Sequence, residues 1–122
     1  MEKYLFVLAG GAVGSLLRYI AGNAIMQRYG GRFPLGTVLI NITGSFLIGL
    51  AMTILTERQA NPNWRLVLVV GFLGGYTTFS SFEWETYQAV QTGGQWIGLL
   101  NVIGSVTLGY LAVWCGAALA RH

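Results

Sequence analysis

Four long apolar segments constrain this chain more than any other feature of its sequence. A helix that crosses a bilayer needs about 20 mostly apolar residues. The chain has four such stretches, at residues 4–26, 35–56, 64–90 and 96–120. The loops between them are short, and no linker or second domain is visible. The sequence therefore predicts an all-α membrane protein in which residues 1–122 form a single four-helix transmembrane domain.

The composition supports this prediction and limits the classes of function. Hydrophobic residues make up 54% of the chain and charged residues only 9%, whereas a soluble domain carries about 25% charged residues. The net charge of +3 includes no basic run, so the sequence does not support nucleic-acid binding. The only histidine is the last residue, His122, and the only cysteine is Cys115 in an apolar run. A His/Cys metal site and an enzymatic activity are therefore not expected.

The positive charges that flank the spans give little preference for one orientation. With four spans, the N-terminus, the second loop and the C-terminus share one side of the membrane. Lys and Arg near the ends of the spans set orientation. One side carries Lys3, Arg58, Arg65 and Arg121, and the other carries Arg28 and Arg32. Because this bias is weak, such a chain can insert in either direction.

The third span has an unusual sequence for a membrane helix. Residues 71–83 read GFLGGYTTFSSFE, and Gly74-Gly75 followed by the β-branched pair Thr77-Thr78 is poor helix-forming sequence. One interpretation is a continuous helix with a packing face of small residues. The other, which we predict, is a helix that breaks in mid-membrane, and such a break is tolerated only where the backbone is buried in protein or lines a polar cavity. A break exposes carbonyls that can bind cations and N–H groups that can face anions.

Two aromatic and two acidic residues follow the predicted break. Phe79 and Phe82 are three residues apart and share one helix face. They can be ordinary core residues, or their positive ring edges can face the path of a small anion. Glu83 and Glu85 lie near the predicted membrane interface. They can mark a proton-coupled site, but a capping role or a salt bridge is the plainer interpretation.

The other three spans also carry polar residues. Arg18 can extend to the interface or attract anions. Asn41, with Thr37 one turn earlier, can join two helices or offer its amide to an ion. In the fourth span, Asn101 and Ser105 lie four residues apart and form a small polar stripe.

Together these motifs resemble the small fluoride-channel family known as Fluc or CrcB, over essentially the whole length of the chain. The strongest match is residues 71–82, which follow the family signature Gly-Phe-x-Gly-Gly-x-Thr-Thr-Phe-Ser-Thr-Phe. The chain departs from the family pattern at Ser81, where a threonine is common, and at Tyr76, where an aliphatic residue is common.

The resemblance implies a fluoride-selective channel in the inner (plasma) membrane that exports fluoride passively from the cytoplasm and protects the cell from its toxicity. It implies an antiparallel, dual-topology homodimer with two anion pathways. It also implies a structural Na⁺ at the dimer centre, held by the backbone carbonyls of Gly74 and Thr77. The residues expected along each anion pathway are Arg18, Thr37, Asn41, Phe79, Ser81, Phe82, Glu85, Asn101 and Ser105.

Two other functions are compatible with four short spans. A small multidrug transporter would need a buried carboxylate to bind cationic substrates, but the first span contains Arg18 and no acid within its apolar stretch. A purely structural membrane subunit would transport nothing. Fluoride flux discriminates between these alternatives and a channel.

Overall fold

The computed structural model describes residues 1–122, and helices account for almost all of them. The helices are α1 (Glu2–Tyr29), α2 (Leu35–Glu57), α3 (residues 62–76), α4 (Ser80–Gly93) and α5 (Gln95–Arg121). Four segments are long and apolar enough to cross a membrane: Glu2–Tyr29, Leu35–Glu57, Pro62–Gly93 and Gln95–Arg121. The four predicted spans are therefore confirmed, and the observed helices extend slightly beyond the predicted ends.

The third span is interrupted near its middle. Its first half, α3, is α-helical at Pro62–Arg65, π-helical at Leu66–Leu73 and α-helical again at Gly74–Tyr76. Helical geometry then stops because Thr77 has an extended backbone, with ψ of 159°, and α4 begins at Ser80. The predicted interruption is confirmed, but the glycines at 74 and 75 remain helical and the non-helical residues are 77–79. The π-helical stretch was not predicted from the sequence.

Glycines of both α1 and α3 allow these two helices to pack closely. Gly71 approaches so closely that a Cβ atom placed on it would lie 2.8 Å from the carbonyl oxygen of Val7 and 3.1 Å from the Cα of Gly10. A Cβ on Gly14 would collide with the carbonyl oxygen of Phe72. Small residues are the usual means of bringing membrane helices into backbone contact. This contact fixes the first half of the third span against α1.

The second helix pair is α2 and α5, which contact each other in the same way. A Cβ on Gly49 would collide with the carbonyl oxygen of Val113, and one on Gly116 would collide with that of Phe46. The helix α4 turns back onto α5 at Gly94, whose φ of 89° suits a residue without a side chain. The two halves of the third span therefore pack against different neighbours, α1 and α5.

The enclosed apolar core of the chain is small and lies beside the interruption. It consists of Ile40, Leu73 and Tyr76, with Phe72 and Ile48 packed against it. Most other large apolar side chains point outwards and are exposed. Such a surface would cause aggregation in water, but lipid tails solvate it in a bilayer.

We expect Gly14→Ala to destabilise the protein by about 1–3 kcal/mol, the usual cost of overpacking, because its Cβ would meet the backbone of α3. Gly104→Ala is the matched control, since a Cβ there meets nothing within 4 Å. Thermal unfolding in detergent measures both. Equal melting temperatures for the two variants would contradict the close α1–α3 contact.

Candidate functional site

The side-chain amide of Asn41 holds the interruption of the third span against α2. Its Nδ2 donates to the carbonyl oxygen of Thr78 at 2.8 Å, and its Oδ1 accepts from the backbone N–H of Thr78 at 2.9 Å. The sequence allowed a helix-joining role or an ion-facing role for this residue. The structure shows the joining contact, which uses one of the two amide N–H bonds and leaves the second.

Thr77 and Thr78 shape the two helix ends on either side of the interruption. The hydroxyl of Thr77 donates back to the carbonyl oxygen of Leu73 at 2.9 Å, which closes the last turn of α3. The hydroxyl oxygen of Thr78 accepts from the backbone N–H of Ser81 at 3.2 Å, as a capping side chain does at the start of a helix. Thr78 therefore satisfies an N–H that the interruption would otherwise leave without a partner, whereas Thr77 adds a second bond to a carbonyl that already accepts its own backbone N–H.

The carbonyl oxygens of Gly74 and Thr77 accept no hydrogen bond from the chain. Both residues line the same cleft, and Gly74 is exposed. Free carbonyl oxygens at an interrupted membrane helix are typical cation ligands. The chain contains no cluster of His, Cys, Asp and Glu side chains that could hold a metal. These two carbonyls are therefore ligands of the kind that hold a hard cation.

A first cleft of about 310 Å³ opens between α1, α2 and α4. Four of the residues predicted for the anion pathway line it: Arg18, Thr37, Ser81 and Glu85. Arg18 and Glu85 are half-buried, and the Oε2 atom of Glu85 is buried without a hydrogen-bond partner. The cleft thus combines a guanidinium, hydroxyls and a carboxylate.

A second cleft of about 370 Å³ lies beside the interruption. Asn41, Gly74, Thr77 and Phe79 line it together with small residues of α2. Thr78 lines both clefts, so the non-helical segment lies between them.

The two predicted pathway aromatics have very different environments. The ring of Phe79 is 74% exposed, whereas that of Phe82 is 6% exposed. Their centroids are 6.0 Å apart, with an angle of 51° between the ring planes. The tilted geometry allows ring edges, which carry partial positive charge, to point towards a shared space.

A chain of side-chain hydrogen bonds connects α5 to α4. Ser105 donates to Oδ1 of Asn101 at 3.2 Å, Asn101 Nδ2 donates to the hydroxyl of Thr86 at 2.7 Å, and Thr86 donates to the carbonyl oxygen of Phe82 at 2.7 Å. Asn101 is the most buried polar residue, at 1% exposure. The stripe predicted on α5 therefore contacts the helix that carries the aromatics.

The nine predicted pathway residues fall into three groups in the structure. Four line the first cleft, Asn41 and Phe79 line the second, and Phe82, Asn101 and Ser105 lie along the α4–α5 contact. Sequence reasoning missed Thr78 and Thr86. The signal for Thr86 was its position four residues after Phe82, and that for Thr78 was its place within the signature.

A further polar contact ties α3 to α2 at Tyr76, one of the two residues where this chain departs from the signature. The hydroxyls of Tyr76 and Thr43 are 2.8 Å apart, and Thr43 also donates to the carbonyl oxygen of Ile40 at 3.0 Å. Tyr76 therefore donates to Thr43. Together with Asn41, this contact attaches both sides of the interruption to α2.

Comparisons with known proteins agree with the resemblance. Residues 5–117 match the family model described as CrcB-like protein, Camphor Resistance (CrcB). A protein of Solibacter usitatus named fluoride-specific ion channel FluC is 69% identical over 121 residues, which cover 98% of this chain and 99% of that protein. Proteins of the same name from Acidobacterium capsulatum (98% of this chain and 97% of the relative) and Rhizobium meliloti (99% and 98%) are 52% and 48% identical.

Proposed function

Because this chain belongs to the CrcB family, we propose that it is a fluoride-selective ion channel of the cell membrane. It lets fluoride leave the cytoplasm passively and so protects the cell from fluoride toxicity. The observation that carries the proposal is the 69% identity, over nearly the whole of both chains, to a protein named fluoride-specific ion channel. The four membrane-spanning segments agree with this function.

The polar groups of the two clefts suit a small, strongly hydrated anion. Such an ion must exchange much of its water for protein donors, since an uncompensated charge in a low-dielectric path is very costly. The available donors are the second N–H of Asn41, the hydroxyl of Ser81 and the ring edges of Phe79 and Phe82. Arg18 attracts anions into the first cleft without lying beside the rings. Full charges along a narrow path would hold the ion, and conduction requires weak binding.

The working unit is an antiparallel homodimer in which each copy contributes to two pathways. One support for this proposal is the face that carries Gly74, Phe79 and the second cleft, which no other part of the chain covers. Polar backbone at membrane depth requires protein or water beside it, and a second copy supplies protein. The weak charge bias of the flanks supports insertion in both orientations.

A structural Na⁺ at the dimer centre completes the proposal. The carbonyl oxygens of Gly74 and Thr77, which accept no hydrogen bond within the chain, would hold it, with the same pair contributed by the second copy. When bound, the cation supplies positive charge at the contact between the two copies and satisfies carbonyls that lipid cannot satisfy.

Purified protein in fluoride-loaded liposomes tests the function directly. With valinomycin present so that potassium balances the charge, we expect a fluoride electrode to record rapid release. Chloride-loaded vesicles with the same protein are the control and should retain their anion. Fluoride release no faster than from protein-free vesicles would exclude the channel function.

Phe79→Ile and Phe82→Ile should each slow fluoride release by about threefold to tenfold, the value of one aromatic edge contact. Phe6→Ile on α1 is the matched control, because Phe6 lies in neither cleft, and it should conduct normally. Wild-type rates in both pathway variants would remove the rings from the path.

Dual topology can be measured by labelling cysteines in intact cells, in a Cys115→Ala background. Gln59→Cys lies between α2 and α3, and Gly31→Cys lies between α1 and α2, at the opposite end of the spans. A membrane-impermeant maleimide should label about half of each variant, since the charge bias is weak. Complete labelling of one variant and none of the other would show a single orientation.

A further inference from the structure

Five consecutive backbone N–H groups at the interruption, those of residues 78–82, do not bind the carbonyls that a helix would offer them. In a continuous α-helix each N–H donates to the carbonyl four residues earlier. The N–H of Thr78 would then bind Gly74, and the N–H of Ser81 would bind Thr77. Neither bond exists in the structure. The carbonyls of residues 74–77 all lack their helical donor, and Gly74 and Thr77 among them are the pair that the proposed cation site requires.

Side-chain oxygens accept the N–H groups of Thr78 and Ser81. Oδ1 of Asn41 accepts from Thr78 at 2.9 Å, and Oγ1 of Thr78 accepts from Ser81 at 3.2 Å. The amide of Asn41 also donates to the carbonyl oxygen of Thr78 at 2.8 Å. The side chain of Asn41 therefore holds both backbone groups of Thr78. These two donors are satisfied, the N–H groups of Phe79, Ser80 and Phe82 have no partner within the chain, and the carbonyls of Gly74 and Thr77 stay available.

We propose that Thr78 and Asn41 are positioning residues for the cation site, because they divert two N–H groups and thereby keep two carbonyls free. The inference rests on the Na⁺ site of the proposed function and adds the residues that create it. The hydroxyl of Thr78 accepts the N–H of Ser81 and so leaves the carbonyl of Thr77 free. Oδ1 of Asn41 accepts the N–H of Thr78 and so leaves the carbonyl of Gly74 free. Neither side chain needs to touch the ion.

This assignment explains why hydroxyl and amide side chains stand at these positions. An unsatisfied N–H at membrane depth is costly, so without the two side-chain acceptors the N–H groups of Thr78 and Ser81 would be driven to close their helical hydrogen bonds with Gly74 and Thr77. Closing them would consume both carbonyls. The side chains therefore supply alternative hydrogen-bond acceptors that allow the third span to remain interrupted.

The first test compares Thr78→Val, which keeps the branched shape and removes the hydroxyl, with Thr78→Ser, which retains the hydroxyl. Thr92→Val is the matched control, because Thr92 bonds only the carbonyl of Gln88 within α4. The readout is the melting temperature in detergent as Na⁺ replaces N-methylglucamine at constant chloride.

We expect Thr78→Val to need about fivefold to tenfold more Na⁺ for half of the stabilisation, the effect of one competing hydrogen bond. Thr78→Ser and Thr92→Val should match the unsubstituted protein. A Thr78→Val midpoint equal to that of the unsubstituted protein would overturn the inference, as would an equal shift in Thr78→Ser.

Variants of Asn41 provide a second measurement if Thr78→Val does not fold. Asn41→Asp keeps an oxygen for the N–H of Thr78 and should bind Na⁺ at least as well as the unsubstituted protein. Asn41→Leu has no acceptor and should bind it more weakly. Equal Na⁺ midpoints in the two variants would overturn the role of Asn41.

The outcomes also separate this inference from the proposed function. If the unsubstituted protein releases fluoride but its melting temperature does not depend on the Na⁺ concentration, the cation site and this inference fail while the channel function stands. If it shows the Na⁺ dependence and the expected variant pattern but no fluoride release, the inference stands and the proposed function fails.

Discussion

The need to satisfy backbone polar groups at membrane depth governs the rest of this structure. Lipid offers no hydrogen bonds, so a span that loses its helical bonds must find partners within protein or around a polar cavity. The third span loses them at residues 77–79. Asn41 and Thr78 replace the missing partners of Thr78 and Ser81, and two clefts open beside the non-helical segment. The polar path of the proposed channel is therefore a consequence of how one interruption is stabilised.

Close helix packing keeps that interruption in place. Glycines bring α1 against α3 and α2 against α5 at backbone distance, and the two halves of the third span are held by different neighbours. The buried chain from Ser105 through Asn101 to Thr86 fixes α4, and with it Phe82, against α5. Rigid helices thus define the positions of donors that an ion would meet, while the free carbonyls remain at the face proposed for the second copy.

Local sequence was enough to predict the spans, because about 20 apolar residues have few alternatives to a membrane helix. The signature at 71–82 also predicted the interruption, although Gly71 and Gly75 proved to be packing residues and the threonines the non-helical ones. The contacts of Asn41 with Thr78 and of Asn101 with Thr86 join residues on different helices, so periodicity within one span could not identify them. The π-helical stretch likewise has no signature of its own in the apolar run that forms it.

The reversal potential in a planar bilayer tests the central claim, passive and selective fluoride conduction, most directly. Fluoride is placed at tenfold excess on one side and chloride at tenfold excess on the other. The account predicts a reversal potential close to the fluoride equilibrium value, with a magnitude of about 59 mV for a monovalent ion. A reversal potential near zero, or one of opposite sign that follows the chloride gradient, would contradict it.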